Sequence, residues 1–223
     1  MDERNVPALK SGGLKEIKKW GWDGETLVNH LIAIDYETIE GLRPEDEGTI
    51  ETWKEVRFDY SETWGILYSD PGEIEGYWSF VPVFPDYFDK LMEGIILEGA
   101  ITREMIPPKN EKGRFDIYLT TIALREAYRG KGLVQLLYQS FVKAIEAFAE
   151  KGVYFNRIGA NAYTDAGYAV STKVFGMQFL RKCPSRGRLM EGNFYPFLQN
   201  GILSKNSALT TLYYREFKKG EKR

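Results

Sequence analysis

Residues 117–149 constrain this chain more than any other part, because they read without interruption as strand, glycine turn and amphipathic helix. Between 115 and 124 nearly every position is apolar or Thr, so the strand is covered on both faces and belongs in the middle of a sheet. The pattern breaks over residues 125–129, after which Gly130 and Gly132 admit backbone geometry closed to other residues. From Leu133 the apolar positions Leu136, Leu137, Phe141, Ala144, Ile145 and Phe148 fall at helical spacing, and Gln135, Gln139, Lys143, Glu146 and Glu150 occupy the rest of the wheel.

A glycine turn feeding a helix start is an anion site. The first-turn amides have no partner within the helix, and the peptide dipoles place roughly half a positive charge there. Consecutive amides can converge on one phosphate, with Arg129 and Lys131 adding formal charge. The spacing excludes a GxxxxGK[ST] nucleotide loop. It also excludes the GxGxxG dinucleotide fingerprint, since Gln135 stands in the third glycine place.

The string Tyr128-Arg129-Gly130-Lys131-Gly132-Leu133 instead resembles the acetyl-CoA loop of the GNAT superfamily of N-acetyltransferases, whose signature Q/R-x-x-G-x-G/A lies between a long strand and a long helix. Arg129 and Gly132 match its first two fixed places and Val134 departs at the third. Residues 165–177 resemble a second motif of that family, N-x-x-A-x-x-L-Y-x-x-x-G-F, in degenerate form: Asp165 stands in the Asn place and Thr172 in the Tyr place. The resemblance implies an α/β (α+β) GNAT fold, with a mixed, mostly antiparallel twisted sheet of about six to seven strands and helices on both faces. It implies acetyl-CoA as cosubstrate, held by Arg129, Gly130, Lys131, Gly132, Leu133, Val134 and Asp165, with the main chain of Ile122, Ala123 and Leu124 alongside the pantetheine. Tyr168 and Thr172 are its candidates for the acid and Glu98 for the base, with Tyr163 and Asp116 as substitutes. The implied reaction is direct acetyl transfer to a primary amine of a small molecule or peptide; a non-catalytic acyl-CoA sensor or scaffold on the same fold stays open, as does a homodimer.

Composition narrows the partners. The 223 residues, 43% apolar and 28% charged, suit a single globular domain over 1–223, and the net charge of −2 recruits no nucleic acid. One cysteine, Cys183, and one histidine, His30, leave no parts for a disulfide, a Cys/His metal site or Ser-His-Asp chemistry, so no metal is expected. No apolar run spans a bilayer and no leader pattern opens the chain, which favours a cytoplasmic protein without membrane contact.

Along the chain, residues 1–22 read as a loose arm. Asp23 caps a helix over 24–39, with His30 partly buried, and Thr49 caps a second to about 58. Between 35 and 62 ten acids face three bases, an ordinary solvated face unless Glu45, Asp46 and Glu47 wall the acceptor site and draw in a cationic amine. Strands over 63–69 and 73–83 meet at Asp70-Pro71-Gly72. The aromatic run Tyr77, Trp78, Phe80, Phe84, Tyr87 and Phe88 reads as core, with some rings available to the acceptor pocket. Residues 95–97 read as a short strand. Residues 153–162 form another strand, and Asp165 caps a helix to about 175. Residues 183–205 form a long loop carrying Arg186, Arg188 and Tyr195, and residues 206–217 alternate as a final strand.

Overall fold

A computed structural model describes residues 8–109, 111–195 and 206–220. Seven strands run in the order β1-β2-β3-β4-β5-β7-β6: β1 Lys10–Gly12, β2 Trp64–Tyr68, β3 Ile74–Val83, β4 Gly113–Leu124, β5 Val153–Ala162, β6 Gln178–Lys182 and β7 Arg188–Asn193. Among the described residues β4 and β5 are the one parallel pair, and the other neighbours are antiparallel. The helices are α1 Leu14–Lys19, α2 Gly24–Thr38, α3 Pro44–Glu47, α4 Ile50–Asp59, α5 Pro85–Glu93, α6 Val134–Glu150, α7 Asp165–Lys173 and α8 Ser207–Gly220. Among the described residues no helix is long and apolar enough to cross a membrane.

The double-sided apolarity of the central strands gives the sheet two covered faces. Trp78 and Phe80 of β3 meet Phe141 of α6 at ring separations of 5.4 and 5.8 Å, in a core shared with Ile117, Phe155, Leu209 and Tyr213. Tyr77, Val81 and Val83, alternating with them along β3, meet α2, α4 and α5 on the other face through Leu31, Ile34, Trp53, Val56, Phe88 and Leu91. Asp23 caps α2 by accepting from the Thr26 amide at 2.8 Å, and Thr49 caps α4 by accepting from Thr52 at 3.2 Å.

Several local readings change. Residues 10–19 are not loose, since β1 pairs with β2 and Ile17 of α1 is buried. Residues 95–97 form no strand: the Ile95 and Ile96 amides donate back to Lys90 O and extend the α5 terminus around left-handed Gly94. Thr164, not Asp165, caps α7, accepting from the Gly167 amide at 3.0 Å, because Asp165 already has helical geometry. His30 is exposed and stacks on Trp22 at 4.0 Å.

The largest change is at the C-terminus, where residues 207–220 are helical rather than extended. Leu209 and Tyr213 lie one turn apart and both are fully buried, so the segment presents a helical stripe. Asn206 caps it by accepting from the Leu209 amide at 3.0 Å, and the Phe155 amide donates to the Tyr213 hydroxyl at 3.0 Å. Within the expected loop, residues 188–193 form β7; residues 196–205 lie outside the described residues.

Candidate active site

The site begins with a fork in the sheet. β4 and β5 pair from Gly113 opposite Val153 as far as Leu119 opposite Ala160, yet β4 continues to Leu124 and β5 to Ala162. Each separated end stays anchored on its outer side, Leu124 against Gly76 of β3 and Ala162 against Arg188 of β7. The gap opens into a cavity of about 430 Å³ walled by residues 119–124 and 160–164.

Gly130, Gly132, Leu133 and Val134 close one end. Gly130 and Gly132 have φ of 74° and 73°, the left-handed region that favours glycine, and nothing lies within 4 Å of the place a Cβ would take at either. Glycine is required here by the turn itself, and space is left over beside it. Gln135 and Leu136 donate back to the carbonyls of Gly132 and Leu133, so helical pairing starts only after the turn. The Arg129 side chain ties the end of β4 to α2, donating from Nε to Leu124 O at 2.8 Å and from Nη2 to Thr38 O at 3.4 Å.

Carboxylates close the other end. Asp46 and Glu47 of α3 and Glu98 of a 3-10 turn at Glu98–Ala100 all line the cavity. Gly99 makes this possible: a Cβ there would sit 2.4 Å from Glu45 O, so only glycine lets the turn lie against the end of α3. Trp53 Nε1 fixes α3 by donating to Glu47 O at 2.6 Å. Asp46 is satisfied, accepting from Arg43 Nε at 3.0 Å and from Ser185 Oγ at 2.5 Å. Burial pushes Glu47 and Glu98 well above the usual carboxylate range, and the charges of neighbouring acids push the same way. Behind them, burial also raises Asp35 of α2, against the lowering effect of the Tyr77 hydroxyl that donates to it and of Arg57 of α4.

Of the sequence candidates, Ile122, Ala123, Leu124, Arg129, Gly130, Gly132, Leu133, Val134 and Glu98 line the cavity. Lys131 turns to its own loop, donating to Ala127 O at 2.8 Å. Asp165 is exposed and pairs with Arg188 at 2.9 Å. Tyr168 lies outside the wall under the Arg188 guanidinium, 4.6 Å away, and Thr172 donates its hydroxyl to Tyr168 O at 2.9 Å. Tyr163 does line the cavity, with a buried hydroxyl that has no partner among the described residues. Asp116 is committed to Arg157 at 2.7 Å, and none of the aromatic run of residues 77–88 reaches the wall. Arg186 instead holds the roof, donating to Gly41 O at 3.0 Å while its carbonyl accepts from Asn161. Tyr195 stacks on Phe217 at 5.0 Å.

The sequence reading missed Thr38, Asn161, Asp35 and Arg57. Asp35 carried a signal: it continues the buried stripe of Val28, Leu31 and Ile34, where an acid has no business being solvated. Thr38 and Asn161 gave none, since a polar residue at the end of an element is ordinary.

No family model matches the chain, and no curated protein sequence matches it. Solved structures match its shape. The loading GNATL domain of CurA from Lyngbya majuscula superposes with a TM-score of 0.50 at 11% identity, over 85% of this chain and 98% of that one. An acetyltransferase of the GNAT family from Staphylococcus aureus MU50 gives 0.49 at 10% identity, over 84% and 99%. The GNAT family N-acetyltransferase YhbS from Escherichia coli, solved in complex with CoA, gives 0.48 at 14% identity, over 90% and 89%. The chain has the GNAT fold.

Proposed function

We propose that the protein is an acetyl-CoA-dependent N-acetyltransferase passing the acetyl group directly to a primary amine of a small molecule or peptide. The observation that carries this reading is the fork between β4 and β5, with a glycine turn at one end and carboxylates at the other. The residues fit coenzyme A. The open space beside Gly130 and Gly132, at a helix start, suits a diphosphate. The edge of β4 that β5 leaves uncovered at Ile122 and Ala123, next to Leu124 whose carbonyl Arg129 holds, suits an amide-bearing arm that needs main-chain partners. Bound acetyl-CoA supplies the activated acyl group.

The chain's own residues then orient, dry and handle protons. Leu119, Leu133 and Ala160 exclude water from the wall, which strengthens every polar interaction inside it. Glu98 is the cavity-facing candidate base, its proton affinity raised by burial. The Tyr163 hydroxyl keeps its proton, since burial pushes its pKa up, and stands in the wall as a donor. Thr172, with its hydroxyl turned into its own helix, favours a second reading, a non-catalytic acyl-CoA sensor or scaffold.

A thiol-release assay with acetyl-CoA across a panel of amines, run beside calorimetry with CoA, decides between them. Release with any amine supports the transferase. CoA binding with no release across the panel favours the sensor, and absence of CoA heat overturns both.

A further inference from the structure

The fork has two unlike sides. Its polar lining comes from the face that carries α2 and α3, through Thr38, Asp46, Glu47, Glu98 and Thr121. The side over α6 and α7 is apolar. Ile122, Leu133, Val134 and Val170 line the cavity there and are only partly buried against the core beneath. Side chains on this side are also short. α7 contributes Ala166, Gly167, Val170 and Ser171, so nothing larger than Val reaches the cavity from that helix, and Ala160 and Ala162 of β5 continue the same wall. Thr172, in the place where the resemblance puts a Tyr, turns its hydroxyl back to Tyr168 O. Ser171 is 4% exposed and lines the cavity, and its hydroxyl has no hydrogen-bond partner among the described residues. An apolar wall with one free donor is complementary to a hydrocarbon chain that carries one acceptor oxygen.

We propose that the α6–α7 side of the fork is an acyl pocket, and that the donor held best is the thioester of a short unbranched acyl chain longer than acetyl. This rests on the transferase reading and deepens it by naming the donor. With the arm of the cofactor along β4 at Ile122 and Ala123, the chain extends from the thioester toward Val134 and Val170, away from the carboxylates. The Ser171 hydroxyl donates to the thioester oxygen. The amine reaches the carbonyl carbon from the carboxylate side. Its lone pair forms the C–N bond, the C–S bond breaks, and the electron pair leaves on sulfur. The nitrogen gives up one proton and the thiol takes up one, so the step balances for any chain length.

Chain length is set by how much of this wall is covered. An acetyl group ends one methyl beyond the carbonyl and leaves Val134 and Val170 facing water. Each further methylene laid against them removes apolar surface from water and is worth about fourfold in affinity. A large side chain on α7 would take up this space, and α7 presents none.

The test titrates acetyl-, propionyl- and butyryl-CoA by calorimetry into the full chain, then compares them in thiol release over the amine panel. Butyryl-CoA is expected to bind about tenfold tighter than acetyl-CoA, with propionyl-CoA between them, and to give the higher kcat/KM. Val170→Phe, which fills the pocket, should reverse that order. Ser171→Ala should weaken all three donors by a similar factor, since the oxygen it meets is common to them. The comparison of donors on the parent chain needs no variant and survives a folding failure. Equal or weaker binding of butyryl-CoA, or a folded Val170→Phe chain that keeps the parent order, overturns the proposal. Thiol release from acetyl-CoA alone overturns the acyl pocket and leaves the transferase reading standing. Tighter binding of butyryl-CoA without release from any donor overturns the transferase reading and leaves the pocket standing.

Discussion

Glu47 and Glu98 make stability depend on pH in an uncommon direction. A carboxyl whose folded pKa is raised binds its proton more tightly in the folded state, so its contribution is full below the unfolded pKa and is lost as pH rises through the folded value. The melting temperature is expected to fall between pH ~6 and ~9, and Glu47→Gln and Glu98→Gln to flatten that fall, in thermal scans read by circular dichroism. A melting temperature that rises over this interval in the parent chain would contradict the assignment. Thr172 makes the opposite kind of case. Its hydroxyl serves its own helix outside the cavity, so Thr172→Ala is expected to leave the rate of thiol release unchanged. Side chains such as these were only half legible in the sequence. One acid among ten looks solvated, and what distinguishes Asp35 and Glu47 is burial, a property of how α2, α3 and the turn at Gly99 meet.

Elements were more legible where one residue type is forced. The glycine turn could be placed because the left-handed geometry at residues 130 and 132 admits few alternatives, and the strand before it because only a central strand is apolar on both faces. Gly132→Ala should cost about 1–2 kcal/mol from backbone strain alone, since the added methyl meets nothing, and should weaken CoA binding in calorimetry. α8 misled because Thr210, Thr211, Tyr213 and Tyr214 are residue types common in strands, and a three-to-four-residue stripe through Leu209 and Tyr213 overlaps any short alternation. Packing on α6 decided the matter. Asn206→Ala, which removes the cap, is expected to destabilise by about 1 kcal/mol in denaturant unfolding. A segment that were extended would not respond.

At the scale of the molecule, the sequence conveyed the kind of sheet and the anion-binding end, and it offered Asp46, Glu47 and Glu98 as separate candidates without showing that they meet. Contacts that build the first are short in sequence: β4, the turn and α6 follow one another. The second joins Glu47, Glu98 and Ser185, residues separated by long stretches of chain. Because β4 and β5 run the same way, both finish at one rim, and the two halves of the sheet part there without any other ladder being broken. The sheet is therefore a garment with an open seam, and a cofactor that offers its own amides acts as the missing stitch. Loading with CoA should slow amide hydrogen exchange at residues 120–124 and leave exchange at the far end of β4, near Gly113, unaltered. On this view the ligand is a tailoring component of the fold as much as a reagent.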